Sequence, residues 1–396
     1  MAVTLKNVFP IIASKLIPND IQIFTKRSIK SATSDVQNIS TERVKPSLPT
    51  RKHLRTYKLS WIDQMNTDVY IPLVRFIEAI SRKNINPLYP FAGRLIDGFS
   101  VDCNDRGAAF IEANVGCDIS KFLQPPDMEL LQQLIPPSPQ LSNLEISERE
   151  LLAVQVNLFN SGEMAIGVCF SHGVADVPTA VSDPKPTIFT QDCVQKIVVR
   201  WQEDSNSKGE ALIWGASIAV ARERKRAIDN KLHSHSMYYA MNLRNKMNPP
   251  MFPRCMGNIT RLVRAEWSLA EDDAIQVTNL VREVVKAKRM GRDVMNNDEY
   301  FGFIKDMYQV GEDSRSFLLT SMVGLPCDEV DFGWGKPVWF SLGPILLPDL
   351  AILSSASDGE GIEALVVMFK EDMEKFEQET SIMAYASANP SIFIRK

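Results

Sequence analysis

Six consecutive residues, Ser171-His172-Gly173-Val174-Ala175-Asp176, set an imidazole and a carboxylate four positions apart directly after an apolar run. A neutral imidazole titrates near physiological pH, so it can take a proton from a hydroxyl or amine in one step and return it in the next. The spacing alone is weak, because a chance His-x-x-x-Asp is expected in roughly one such chain in five. By itself it equally describes a satisfied surface or core histidine followed by an ordinary turn or helix-start aspartate. A second segment, Asp331-Phe332-Gly333-Trp334-Gly335-Lys336-Pro337, packs glycines, aromatics and a carboxylate ahead of a Lys-Pro step. Glycine opens backbone angles closed to other residues, and Phe332 and Trp334 can bury enough area to lock such a turn onto a core. On its own the segment reads as a structural loop whose Asp331 pairs with an arginine or caps local amides.

Periodicity indicates the elements that must position these residues. Met164-Ala165-Ile166-Gly167-Val168-Cys169-Phe170 is too short for a typical helix and reads as a buried strand. His172 then emerges at a strand end, where chemistry is commonly placed. Residues 151–159 read as a second strand, and Asn160-Ser161-Gly162 turns one strand into the other, a hairpin signature. Residues 210–226 and 271–289 read as helices, the second with Ala274, Val277, Leu280, Val281, Val284 and Val285 at helical spacing. Residues 365–369 read as a strand and 370–378 as a closing helix, while the polar stretch 203–209 is the best linker candidate. No internal repeat is visible.

Composition narrows the function classes. A chain of 396 residues is long for one core and more naturally forms two domains. A hydrophobic content of 45%, a charged content of 23% and a net charge of −4 describe an ordinary globular protein. No nucleic-acid-binding motif or basic stripe is present and no apolar run reaches a membrane span, so neither nucleic acid nor membrane is an expected partner. Cys103, Cys117, Cys169, Cys193, Cys255 and Cys327 are scattered without a Cys-x-x-Cys pair and read as reduced thiols. His233-Ser234-His235 has no acidic or cysteine partner at ligand spacing, so no metal is expected. The first 35 residues carry Lys6, Lys15, Lys26, Arg27 and Lys30 with many hydroxyl residues, a composition that suits an organelle transit peptide or a disordered tail.

Taken together, His172 and Asp176 mid-chain with Asp331-Phe332-Gly333-Trp334-Gly335 near the carboxyl end resemble the plant BAHD acyltransferases in order and separation. Lesser resemblances fill the intervals: Tyr57-Lys58-Leu59-Ser60-Trp61-Ile62-Asp63-Gln64, Leu88-Tyr89-Pro90-Phe91-Ala92-Gly93-Arg94-Leu95, Asn242-Leu243-Arg244 and Gly361-Ile362-Glu363-Ala364. Met256-Gly257-Asn258 is most similar to the vinorine synthase branch, whose members acylate alkaloid and terpenoid alcohols. The resemblance implies a mixed α/β (α+β) chain with a two-domain chloramphenicol acetyltransferase-like fold. Each domain is then a mixed sheet with flanking helices, and the active-site channel runs between them. The corresponding boundaries are a disordered extension or transit peptide at 1–36, an N-terminal domain at 37–185, a shortened crossover linker at 186–209 and a C-terminal domain at 210–396.

The same resemblance implies acyl transfer from acyl-CoA, acetyl-CoA in the first instance, to a small-molecule alcohol of plant specialised metabolism, with no permanently bound cofactor. A thioester is already a good acyl donor, so the protein need only generate a nucleophile, hold it against the carbonyl and stabilise the oxyanion. His172 is the implied base. Spacing leaves two roles for Asp176: orienting the imidazole, or, as in relatives, pairing with the arginine that corresponds to Arg244. Asp331, Gly333, Trp334 and Gly335 correspond to a structural loop, and Thr320 and Ser321 to residues lining the CoA channel. A monomer in the cytoplasm is implied, or in a plastid or mitochondrion if residues 1–36 are a transit peptide. The chain departs from the family after Asp176, where Pro178 forbids an ordinary helix and only about 25 residues lead to the helix at 210. Met322 and Gly324 also stand where relatives have Trp and Arg. These departures keep a second reading open, a shortened non-catalytic relative that binds a ligand or partner. A Ser-His hydrolase is disfavoured, since no Gly-x-Ser-x-Gly elbow is present.

Overall fold

The computed structural model describes residues 35–46, 48–64, 69–77, 86–176, 196–201, 206–227, 234–244, 256–268, 276–291, 314–325, 337–345, 347–356, 361–390 and 392. Residues 36–294 and 312–396 belong to one compact unit, which contains all of these but Asp35. The segments 1–34, 177–186 and 331–335, discussed above, lie outside the described residues, as do His233, Cys193, Cys255 and Cys327.

Two six-stranded mixed sheets organise the unit. The first contains β1 (Val36–Val44), β3 (Tyr70–Ile77), β6 (Ala108–Val115), β7 (Leu152–Phe159), β8 (Met164–Ser171) and β13 (Trp339–Leu342), in the order β1-β6-β7-β8-β3-β13. Only β6 and β7 run parallel in it. A small antiparallel sheet of β2 (Thr56–Lys58), β4 (Arg94–Leu95) and β5 (Ser100–Asp102) completes this half. β7 and β8 form the hairpin expected around Asn160-Ser161-Gly162, and every residue of β8 is buried. A continuous apolar strand is what a central position covered on both faces requires. Gly167 has a specific steric reason within it, because a Cβ there would lie 2.0 Å from the Leu134 carbonyl oxygen. Two buried amides fasten the same crossing segment: Gln155 Nε2 donates to Gln133 O at 2.9 Å and Asn157 Nδ2 to Leu134 O at 2.7 Å. Phe170 packs edge-on against Phe91 with centroids 5.7 Å apart, so the strand leading to His172 is rigidly seated.

The second sheet contains β9 (Lys196–Trp201), β10 (Ser234–Asn242), β11 (Thr260–Ser268), β12 (Ser314–Ser321), β14 (Leu350–Ser355) and β15 (Ile362–Val367), in the order β11-β10-β12-β14-β15-β9. β12 is parallel to both β10 and β14. Strand alternation gives the sheet two apolar faces. Phe317, Leu319, Ala351, Leu353, Ala364 and Val366 pack with the helices Asn206–Ala227 and Val277–Met290. Leu350, Ile352, Leu365 and Val367 point the other way, into the core built around the first sheet. The two sheets therefore share one apolar interior on that side.

Two features depart from a simple division of the chain. Lys196–Trp201, inside the stretch read as a linker, is the edge strand β9 paired with β15, and its Ile197-Val198-Val199 run suits that pairing. β13 comes from the carboxyl-terminal half yet pairs with β3 of the first sheet, where Trp339 stacks on Phe76 at 5.8 Å. The helix expected over 271–289 is described from Val277 to Met290, and the strand expected over 365–369 begins earlier and spans Ile362–Val367.

Candidate active site

β8 ends at Ser171, and the chain turns at once. The Ser171 N–H donates to Leu151 O at 2.9 Å, the His172 N–H to Val69 O at 2.7 Å and the Val174 N–H to Ser171 O at 3.1 Å. Val174 and Ala175 are fully buried, so apolar burial pins the loop while His172 keeps part of its surface accessible. At the far end of the motif Asp176 is buried and faces the buried guanidinium of Arg244. Arg244 Nη1 donates to Asp176 Oδ2 and Nη2 to Oδ1, both at 2.8 Å, a bidentate pair. Nη2 also donates to Gly257 O at 2.9 Å, and the Ile259 N–H donates to Asp176 Oδ2 at 3.2 Å. Arg244 lies just past β10 and Ile259 just before β11, so the motif carboxylate is held by the end of a hairpin in the second sheet. Removing one member of such a buried pair strands the other charge, at a cost of about 3–5 kcal/mol.

Two residues without an assigned role in the sequence reading complete the site. Asp63 is buried at the end of a Ser60-x-x-Asp63 turn, in which the Ser60 N–H donates to Asp63 Oδ2 at 2.9 Å and the Asp63 N–H to Ser60 Oγ at 3.1 Å. Its other oxygen accepts from the Asn258 N–H at 2.6 Å and from Asn258 Nδ2 at 2.8 Å. Asn258 Nδ2 then reaches His172 O at 2.6 Å. Gly257 allows this approach: its φ is +106°, and a Cβ would sit 3.3 Å and 3.4 Å from the Asp63 oxygens. The Ser-x-x-Asp spacing and the Gly-Asn step were the available signals. Neither reveals that residues 195 positions apart meet.

Burial is the largest influence on the His172 ring and lowers its pKa from the ordinary 6.5. Its own backbone carbonyl, the carboxylates of Asp176 and Asp63 and the Asn258 amide act in the opposite sense and do not overcome it. The imidazole is therefore neutral at pH 7, the form that accepts a proton, with carboxylates nearby to stabilise the cation once formed. Thr320 and Ser321 are half-buried at the end of β12, with Thr320 paired to Ala240 on β10, which places them at the end of the sheet that carries Arg244. A small pocket of about 20 Å³ is lined by Met322, Trp339, Ser341, Ile352 and Glu363. Asp331, Gly333, Trp334 and Gly335 are outside the described residues. His235 belongs to a different environment: its ring is buried against Trp214 and Ser217, beneath the helix Asn206–Ala227.

A model of the Transferase family matches residues 34–182 and 194–383. Limonoid 21-O-acetyltransferase of Citrus sinensis is 32% identical to the chain, over 91% of the chain and 100% of that protein. The crystal structure of vinorine synthase superposes with a TM-score of 0.73 at 24% identity, covering 89% of the chain and 99% of that structure. TRI101 of F. sporotrichioides, crystallised with coenzyme A and T-2, superposes with a TM-score of 0.59 at 14% identity, covering 84% of the chain and 99% of that structure.

Proposed function

Because this chain belongs to the BAHD acyltransferase family, we propose that it transfers an acetyl group from acetyl-CoA to a hydroxyl of an alkaloid or terpenoid alcohol, with His172 as general base. The observation that carries this reading is the neutral imidazole at the end of β8, its loop tied by Asp176 to Arg244 and by Asn258 to Asp63. Within a ternary complex, the His172 ring takes the proton of the acceptor hydroxyl as the oxygen attacks the thioester carbonyl. The tetrahedral intermediate collapses, the carbon–sulfur bond breaks, and the imidazolium returns the proton to the departing thiolate. No covalent enzyme intermediate is needed. Asp176 acts in this scheme as the anchor of the loop rather than as a partner of the ring. A limonoid or related terpenoid alcohol is the first acceptor to try, by analogy with the Citrus sinensis enzyme.

Purified protein is incubated with acetyl-CoA and a panel of limonoid, other terpenoid, alkaloid and phenolic alcohols, and thiol release is followed beside acetylated product. Acceptor-dependent release that His172→Ala abolishes is the expected result. Release that survives in His172→Ala would remove the histidine from its role as base. No release with any acceptor would favour a non-catalytic relative.

A further inference from the structure

Asp63 is 2% exposed, and the hydrogen bonds to its carboxylate all come from neutral groups. Oδ2 accepts from the Ser60 N–H at 2.9 Å, while Oδ1 accepts from the Asn258 N–H at 2.6 Å and from Asn258 Nδ2 at 2.8 Å. Three N–H donors and no acceptor suit an ionised carboxylate, which can only accept. Among the described residues no lysine or arginine pairs with it, whereas the other buried carboxylate of the site, Asp176, is matched by the bidentate guanidinium of Arg244 at 2.8 Å. A buried charge is ordinarily paired, so the resting site is one cation short. The group placed to become that cation is His172. One nitrogen, Asn258 Nδ2, contacts both Asp63 Oδ1 and, at 2.6 Å, the carbonyl oxygen of His172, so a single side-chain amide separates the carboxylate from the base.

We propose that Asp63 supplies the negative charge that balances the His172 imidazolium during acyl transfer, while Asp176 serves as the anchor alone. The charged groups about the ring are Asp176 and Asp63, with Arg244 bound to the first. With a neutral imidazole these groups sum to one negative charge, and the proton taken from the acceptor hydroxyl brings the buried cluster to neutrality. The proton leaves again for the departing thiolate, and Asp63 gains and gives up none in either step. Taken singly, Asp176 acts on the ring more strongly than Asp63. Its charge is opposed at bonding distance by Arg244, and among the described residues no such cation stands against Asp63. Asp63 does not touch the substrate and acts through the ring. The inference rests on the reading of His172 as general base.

Asp63→Asn keeps the size of the side chain and an acceptor for Asn258 and removes the charge. The imidazolium is then less favoured, so the acid limb of kcat/KM is expected to move to lower pH by about one unit and kcat to fall about tenfold, with the KM for acetyl-CoA nearly unchanged. Ser60→Ala is the structural control, because it removes the hydroxyl that accepts from the Asp63 N–H and leaves the carboxylate in place. Its acid limb is expected to coincide with that of wild type, whatever stability it loses. A limb in Asp63→Asn that also coincides with wild type would overturn the proposal, and Asp63→Ser gives the same reading if the asparagine variant does not fold. Nitrogen-15 NMR of the full chain with labelled histidine follows the ring without any substrate as pH is lowered from 8, the His172 signals being assigned by their loss in His172→Ala. The ring is expected to stay neutral to lower pH in Asp63→Asn than in wild type, and coincident titrations would overturn the proposal. A wild-type protein that acetylates nothing would remove the functional reading, and the titration would still decide whether Asp63 governs the charge of the ring.

Discussion

Two histidines in this chain have imidazoles whose pKa is lowered by burial, and they do opposite things. His235 sits within β10 with no exposed surface, where Trp214 Nε1 donates to its Nδ1 at 3.1 Å and Ser217 Oγ lies 3.4 Å from Nε2. Burial, and then the positive charge of Arg315, push that ring down to about 3. A proton cannot visit it at any ordinary pH. His172 stands at a strand end, keeps some accessible surface and has carboxylates as its charged neighbours. Its cation is disfavoured at rest but stabilised locally once formed, which is what a base that cycles requires. A depressed imidazole pKa is therefore a poor marker of a site by itself. The sign of the surrounding charge and the presence of uncommitted ring nitrogens separate a shuttle from a core residue.

The largest effects test that separation. His172→Ala should lower acetyl transfer by about 10²–10⁴-fold while leaving the urea midpoint close to wild type. His235→Ala should do the reverse, costing about 3 kcal/mol of stability by opening a cavity and stranding the Trp214 donor, with kcat per folded molecule retained. Loss of kcat without loss of stability in His235→Ala would break the comparison. Asp176→Asn comes next. It leaves Arg244 buried without its countercharge and should cost about 3–5 kcal/mol in urea titration, more than an orienting residue of an accessible ring would.

Acid stability sharpens the contrast. His235 has a folded pKa of about 3 against an unfolded value of about 6.5, so the unfolded chain takes the proton first as pH falls. The stability from the neutral ring is whole above pH 6.5 and is lost on the way down toward pH 3. At pH 5 the loss is on the order of 2 kcal/mol. His172 contributes with the same sign below pH 6.5. Urea titrations at pH 7 and pH 5 should show a smaller difference in His235→Gln than in wild type.

Local patterns made the hairpin and its emerging histidine legible, because a buried apolar strand and an Asn-Ser-Gly turn are contained within a few residues. The helix Val277–Met290 was equally legible from its period. The Asp331 loop owed its meaning to family resemblance, since glycine and aromatic content alone says only that a turn is anchored. β13 was not legible: four residues carry too little periodicity to announce a partner, and its pairing with β3 joins distant parts of the chain. The Lys196–Trp201 strand had its β-branched signal in plain sight, but the polar stretch beside it suggested a linker. Asp63 and Asn258 escaped for a deeper reason. A hydrogen bond across 195 positions is decided by the packing of two sheets, and residue types name only its capacity.

Gly257 gives the smallest test and the one most confined to the His172 side. With φ at +106° an alanine is strained whatever the space, by roughly 1–2 kcal/mol. Its Cβ would also press on both oxygens of Asp63, the carboxylate that holds Asn258. The strain need not unfold the protein, because the Arg244 contact to this residue is made to its backbone carbonyl and survives a side-chain change. The clamp on the His172 carbonyl would shift with Asp63, and misplacement of a base by fractions of an ångström lowers rate before it lowers affinity. Gly257→Ala should therefore lower kcat several-fold, with a drop of a few degrees in Tm and little change in the KM for acetyl-CoA. The acid-dependent loss of stability assigned to His235 should stay as in wild type, since Gly257 touches only the other histidine's surroundings. A Gly257→Ala protein with unchanged kcat would mean that the Asp63–Asn258 contact does not set the position of the His172 loop, and the difference between the two histidines would then rest on charge alone.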